Sequence, residues 1–257
     1  MFLLGQNISY SRSPAMQNAA FHAAGFDWTY ELLDVPGDQL GRAVDSLRAQ
    51  DVAGANVTIP HKVAVMEHLD RIDADALRAH AVNTIKHEGQ HLVGYNTDVA
   101  GIRAAADDVA FNPRGAAVVV LGAGGSARAA AVALEGAHII FVARHPESAG
   151  EMPGRVMAWD DPAWPALVRS ADLLLNATPL GRREEMPVRP NALPTTGAVI
   201  DLVYVPGSTP LVRKARSLGL ATADGWRVLL AQGAQSFEIW TGQPAPLEAM
   251  KAGMEAA

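Results

Sequence analysis

The chain contains no cysteine. Disulfides, cysteine-ligated zinc and a thiol nucleophile are therefore excluded. It has no apolar run long enough to span a membrane and no basic run that resembles a nucleic-acid footprint. Neither an internal repeat nor a low-complexity tract is visible. Positive charge is in deficit: 21 Lys and Arg face 27 Asp and Glu, for a net charge of −6. Met1 to Gln6 lack the basic region and long apolar core of a secretory signal. The expectation is a cytoplasmic protein with no nucleic acid and no membrane among its partners.

The 257 residues are long for one domain and comfortable for two. With 49% hydrophobic and 19% charged residues, the chain can bury a sizeable core. Residues 2–4 read as a short buried strand. Gly5 to Pro14 is a polar loop with Ser9, Ser11 and Ser13 spaced by two, which in an extended segment shares one face. The other reading is a serine-rich helix cap, with Ser13 before a proline at the first helical position. Residues 15–24 are helical and stop at Gly25. Strands over 28–35 and 52–58 alternate with a helix over 39–49, a rhythm that argues for a largely parallel sheet.

Asn56-Val57-Thr58-Ile59-Pro60-His61-Lys62 runs from an apolar strand into a proline suited to a first helical turn. The helix it predicts ends near Leu69, and another covers 73–79. Lys62 reads either as a solvated cation or as part of a site at this junction. Residues 82–86 and 92–97 flank a Gly-containing turn and read as a hairpin. Asn83, Asn96, Thr97 and Asp98 crowd polar groups at the strand ends. Asp98 is either a simple cap of the helix over 99–107 or a functional acid.

Residues 116–121 form a continuous apolar run, as in a central parallel strand. The run leads into Gly122-Ala123-Gly124-Gly125-Ser126-Ala127, which fits the dinucleotide pattern G-x-G-x-x-G/A. One glycine permits the tight turn, a second lets backbone approach a pyrophosphate, and the small third residue lets helix and strand pack. A helix over 128–135 and a strand over 137–142 complete the unit. After that strand comes Ala143-Arg144-His145-Pro146, with no acid until Glu147. An acid there would hold the ribose 2′-hydroxyl of NAD, whereas arginine accommodates a 2′-phosphate. NADP is favoured over NAD, against the plain alternative that Arg144 is a solvated loop charge. Residues 146–170 are poorly patterned. Strands over 172–175, 198–203 and 221–223 end in polar or turn residues. Helices are expected over 209–218, over 228–240 with an interruption at Gly233, and over 247–254.

Together, Ser11-Arg12-Ser13-Pro14, Asn56 to Lys62, Ala81-Val82-Asn83-Thr84, Asn96-Thr97-Asp98, Gly122 to Ala127, Asn176-Ala177-Thr178-Pro179, Asp201 with Tyr204 and Pro206, Thr209-Pro210-Leu211, and Gln232 with Phe237 and Trp240 resemble the shikimate dehydrogenase family. The blocks follow the family's order along nearly the whole chain. The resemblance implies an α/β protein with two domains and the substrate in the cleft between them. An N-terminal substrate domain with a mixed sheet, residues 1–99, would be completed by the last helices, 232–257. A Rossmann-type, doubly wound domain would cover 100–231 and bind NADP.

By the same resemblance, Lys62 and Asp98 match the catalytic pair. Ser11 and Ser13 match the hydroxyls that hold the substrate carboxylate, and Thr58, Asn83, Tyr204 and Gln232 match further substrate contacts. Gly122, Ala123, Gly124, Gly125, Ser126, Arg144, Thr178, Leu202 and Gly225 match the cofactor side. No metal is implied, and the partner implied is a small-molecule substrate, taken by a monomer or homodimer. The activity implied is reversible reduction of 3-dehydroshikimate to shikimate with NADPH, in chorismate and aromatic amino acid biosynthesis. The residue types suit it: a desolvated lysine can act as acid in one direction and base in the other. Two alternatives are an NAD-using quinate/shikimate or related cyclic hydroxy-acid dehydrogenase, and a non-catalytic ligand sensor. The sequence departs from the family at Tyr10 and Gln17, where histidines are usual, at Arg182 and Val228, where methionine is usual, and at Ala143-Arg144-His145, which lacks a second downstream basic residue.

Overall fold

The computed structural model describes residues 1–256. The chain divides into two units, one made of Met1–Asp98 and Leu230 onward, the other of Val99–Leu229.

In unit one the chain forms β1 (Phe2–Gly5), α1 (Ser13–Ala23), β2 (Glu31–Asp34), α2 (Leu40–Ser46), β3 (Gly54–Val57), β4 (Arg71–Ile72), α3 (Ala74–Ala79), β5 (Thr84–Glu88) and β6 (His91–Tyr95). The sheet order is β2-β1-β3-β5-β6-β4. β1 pairs parallel with β2 and β3, while β3/β5 and β5/β6 are antiparallel. The expected mixed sheet and hairpin are present, the hairpin turning at Gly89-Gln90. Every residue of β3 is buried, which is why it reads as an apolar run rather than an alternation. Leu4, Val44, Leu47, Val57, Val65 and Ile85 belong to the core on one side. A second cluster joins Phe21 to Trp28, Phe237 and Trp240.

Unit two begins within α4 (Asp98–Asp108) and continues with β7 (Ala117–Leu121), α5 (Gly125–Ala133), β8 (His138–Ala143), β9 (Arg155–Ala158), α6 (Trp164–Ser170), β10 (Leu173–Asn176), β11 (Ala198–Asp201), α7 (Pro210–Ser217) and β12 (Ala221–Ala223). Its order is β12-β11-β10-β7-β8-β9, and every pairing is parallel. This is the doubly wound arrangement. The strand order reverses beside β7, so the carboxyl ends of β7 and β10 flank the switch point where such sheets take ligands. α8 (Gly225–Thr241) passes from this unit into unit one, where α9 (Leu247–Ala256) follows.

Several local expectations are corrected. No α-helix follows Pro60. The Ile59–Pro60 peptide is cis, turns cover 60–63, and a 3-10 helix covers Ala64–His68. The reason is competition for backbone: the Lys62 carbonyl, which an α-helix would offer to Met66, accepts the Val82 N–H at 2.7 Å, and Met66 bonds Val63 instead. The serine loop is not extended, because the Ser11 N–H bonds the Ile8 carbonyl and turns the chain. Residues 146–170 hold a strand, β9, and a helix, α6. α5 begins at Gly125 rather than Arg128.

α8 runs through Gly233 without a break. A Cβ there would lie 2.2 Å from the Met16 methyl, so the glycine serves close packing against α1 and not termination.

One buried acid ties the carboxyl edge of the parallel sheet. Asp201, at the end of β11, is fully buried. Its carboxylate accepts from the Asn176 amide at 2.8 Å, the Val203 N–H at 3.0 Å and the Thr209 hydroxyl at 2.6 Å. Thr209 in turn caps α7 through the Val212 N–H. Burial pushes the Asp201 carboxyl up to about 6, with nearby Asp224 adding to the rise. Because the folded protein then binds this proton more tightly than the unfolded chain, Asp201 contributes most stability below its ordinary value of 3.8 and loses that contribution as pH rises through about 6. Urea unfolding across pH 4 to 7 should show wild type losing roughly 2–3 kcal/mol relative to Asp201→Asn through this window; parallel pH dependences would contradict it.

Candidate active site

The hairpin of unit one brings its polar strand ends together. The Asn83 N–H bonds the Tyr95 carbonyl at 3.0 Å, which places Asn83 beside the chain leaving β6. Its side-chain oxygen accepts the Thr97 N–H at 2.7 Å. Its amide donates to Thr97 Oγ1 at 3.0 Å and to Asp98 Oδ1 at 2.8 Å. The other Asp98 oxygen accepts from Lys62 Nζ at 2.5 Å. The bond from Val82 N–H to the Lys62 carbonyl pins the lysine backbone one residue away from Asn83. The two charged side chains are only 11% and 10% exposed. Lys62 is therefore not a solvated cation. Removing either partner would strand a largely buried charge at a cost of about 3–5 kcal/mol.

A deeper layer supports this pair. The Asn56 amide on β3 donates among the Asn83 carbonyl, Thr84 Oγ1 and Ser236 Oγ at 2.9–3.1 Å, and its oxygen accepts the Tyr30 hydroxyl at 2.8 Å. Ser236, on α8, also meets Thr97 Oγ1 at 3.0 Å and donates to the Gln232 carbonyl. Thr97 Oγ1 reaches Gln232 Oε1 at 3.5 Å. Lys62, Asp98, Asn83 and Gln232 thus share one network. Tyr30, Thr84 and Ser236 are members that sequence reasoning missed. For Ser236 there was a signal: it lies four residues after Gln232, on the same helical face.

The serines form their own group. α1 starts at Ser13, whose N–H donates to Ser11 Oγ at 3.2 Å. Ser13 is thus the first residue of α1 rather than its cap; the cap position is Arg12, which makes no side-chain cap bond. Among the described residues neither Ser13 Oγ nor Thr58 Oγ1 has a hydrogen-bond partner; Thr58 is held by its backbone, through the Leu4 carbonyl. One turn beyond Ser13, Gln17 is fully buried and donates to the Gly233 carbonyl at 3.0 Å. Tyr204 lies in unit two, with its ring 5.1 Å from that of Trp226.

In unit two the glycine-rich segment is a tight turn between β7 and α5. Gly122 has φ +111°, a conformation L side chains rarely adopt, and a Cβ there would lie 3.2 Å from the Ala177 carbonyl oxygen. A Cβ on Gly124 would meet nothing within 4 Å. Gly124 precedes α5 without a side-chain cap, so backbone N–H groups and the helix dipole face an open cradle. Ala127 is fully buried, as close helix–sheet packing requires.

Thr178 is fixed beside this turn by Asn176 Oδ1, at 3.1 Å from its N–H and 2.7 Å from its hydroxyl. The Leu202 N–H bonds the Asn176 carbonyl, and a Cβ on Gly225 would lie 2.5 Å from the Leu202 carbonyl oxygen. Arg144 is exposed just beyond β8 and has no ion-pair partner among the described residues. The glycine turn, open at Gly124, and the exposed Arg144 guanidinium have the chemistry to take phosphate groups such as those of NADP. Among the described residues, no group of three His, Cys, Asp or Glu is placed to hold a metal ion. A hollow of about 510 Å³ lies at the opposite, amino-terminal ends of the strands, near Ala116, Asp172 and Ala198, and holds no candidate residue.

The model of the shikimate dehydrogenase substrate binding domain matches residues 3–85, and that of the shikimate 5'-dehydrogenase C-terminal domain matches residues 225–252. The shikimate dehydrogenase (NADP(+)) of Moorella thermoacetica is 41% identical over 264 residues, covering 96% of this chain and 90% of its own. Shikimate 5-dehydrogenase from Thermus thermophilus, solved with NADP(H) and shikimate, superposes with a TM-score of 0.87 at 33% identity, covering 99% of this chain and 98% of its own. The ligand-free 5-ketofructose reductase of a Gluconobacter species reaches 0.82 at 34% identity, covering 99% and 97%. On this agreement in sequence and fold, the chain belongs to the shikimate dehydrogenase family.

Proposed function

We propose that the protein reversibly reduces 3-dehydroshikimate to shikimate with NADPH, with Lys62 and Asp98 as the catalytic pair. The observation that carries this reading is the near-buried Lys62–Asp98 contact, oriented by Asn83, in a chain 41% identical to an NADP-dependent shikimate dehydrogenase. Reducing a ketone adds a hydride to carbon and a proton to oxygen. NADPH, when bound, supplies the hydride.

Lys62 supplies the proton from its ammonium to the carbonyl oxygen, and takes it back in the oxidation direction. Asp98 holds Lys62 in place and leaves its carboxylate available to the same hydroxyl. Ser11 and Ser13 hold the substrate carboxylate, and Thr58, Asn83, Tyr204 and Gln232 hold its hydroxyls. The unpartnered hydroxyls of Ser13 and Thr58 support that assignment, since a site built to hydrogen-bond each hydroxyl rejects analogues lacking one. On the cofactor side, Gly122, Ala123, Gly124, Gly125 and Ser126 hold the diphosphate. Thr178, Leu202 and Gly225 shape the adjoining edge, and Arg144 holds the 2′-phosphate. The nearest acid in sequence, Glu147, pairs with His145 at 3.3 Å.

Lys62→Ala should lower kcat for shikimate oxidation by about 10²–10³-fold while shikimate affinity, read by calorimetry, changes by less than about threefold. Near-normal turnover would remove Lys62 from the mechanism. Wild type should oxidise shikimate with NADP+ at a kcat/KM at least about tenfold above that with NAD+. Equal use of both, or faster turnover of quinate, would favour the broader cyclic hydroxy-acid dehydrogenase. Binding without turnover would favour a sensor.

A further inference from the structure

Arg128 is unexplained by the reaction. It sits one turn into α5, and its N–H bonds the Gly124 carbonyl at 3.0 Å. It is only 6% exposed, and burial holds its guanidinium below the usual arginine value. Among the described residues no carboxylate pairs with it. The guanidinium instead donates to two backbone carbonyls, those of Ala149 and, at 2.8 Å, Glu151. A Cβ on Gly150, between them, would come within 3.5 Å of its Nη2.

Both carbonyls belong to the segment that leaves β8. That segment runs from Arg144 through His145 and the 3-10 turn Pro146–Ser148 to Ala149, and the Ala149 N–H closes the turn on the Pro146 carbonyl at 3.2 Å. Arg128 thus fastens the far end of the segment to the helix that begins at the glycine-rich turn. A planar guanidinium can span two carbonyls two residues apart; a point-like ammonium does this less well. Burying an arginine without a counter-charge is costly, so the clamp has to do more than fill space.

The sequence adds a second observation. Past β8 there is one arginine, Arg144, without a second basic residue close behind it, and His145 is engaged with Glu147. Selection for a 2′-phosphate therefore falls on a single long side chain, whose root must be fixed if it is to discriminate.

We propose that Arg128 is a positioning residue for cofactor choice: by clamping the backbone at 149–151 to α5 it holds Arg144 where a 2′-phosphate is bound. This rests on the reading of Arg144 as the 2′-phosphate holder. The test is calorimetric titration of the full-length protein with NADP+ and with NAD+, for wild type, Arg144→Ala, Arg128→Met, Arg128→Lys and the Arg128→Met/Arg144→Ala double variant, each checked for folding by circular dichroism.

Arg144→Ala should raise the NADP+ Kd by about tenfold or more and leave NAD+ within about twofold. Arg128→Met should follow the same pattern more weakly, and Arg128→Lys should recover part of the loss. Because Arg128 acts through Arg144, the double variant should bind NADP+ no more weakly than Arg144→Ala. Equal weakening of both cofactors by Arg128→Met, or full additivity in the double variant, would overturn the clamp. If Arg144→Ala keeps the NADP+ preference, the 2′-phosphate reading fails and the clamp proposal falls with it, while shikimate turnover by wild type still stands as a separate result. Should Arg128→Met not fold, Arg128→Lys alone and combined with Arg144→Ala gives the same comparison.

Discussion

A lysine and an aspartate, each about nine-tenths shielded from water, have lost most of the solvent around their polar ends, and a partner has to replace it. The Lys62–Asp98 contact answers that constraint, and much of unit one is arranged around it. Asp98 needs a second donor, which Asn83 provides. Asn83 must then be held in turn, and the Thr97 N–H, the Tyr95 carbonyl and Asn56 hold it. Asn56 passes the demand to Tyr30, Thr84 and Ser236, where hydroxyls close the network. Each added member removes an unsatisfied polar group from the interior, and a fully satisfied network is rigid. Rigidity at this point serves the proposed chemistry, because a proton donor held within hydrogen-bond reach needs little reorganisation.

Unit two solves a different problem. Its glycine-rich edge is backbone, and backbone must be exposed without being left loose. Gly122 makes the turn and α5 presents its uncapped first turn. Behind them stands a side-chain chain: Thr209 to Asp201, Asp201 to Asn176, Asn176 to Thr178. Arg128 performs the same service on the other side of β7, toward the segment after β8. An open cradle is flanked by buried polar groups that fix its walls.

How far this was legible varies with the reach of each interaction. The β7 strand and its glycine turn were readable because a continuous apolar run and a φ requirement are local properties. The hairpin was readable for the same reason. β9 was not: Arg155–Ala158 is an edge strand with a charged first residue, and it exists because β8 offers it a partner. The missing helix after Pro60 was lost to a distant N–H, that of Val82, which took the carbonyl such a helix needs. Gly233 reads as a helix breaker, yet Met16 explains its presence. Ser13 does not cap α1: the loop turns at Ile8, Arg12 takes the cap position without a side-chain bond, and Ser11 accepts the Ser13 N–H.

The sequence by itself determined the strand–helix alternation that argues for a parallel sheet, the hairpin of unit one and the glycine turn after β7. These follow from periodicity, turn chemistry and composition, each encoded within a few residues. Only the tertiary structure decided which polar groups meet. Lys62 finds Asp98 36 positions away, and Asn56 finds Ser236 180 positions away. No local pattern specifies such partners. They are fixed when the sheet registers bring strand ends together and burial leaves each polar atom to find a mate.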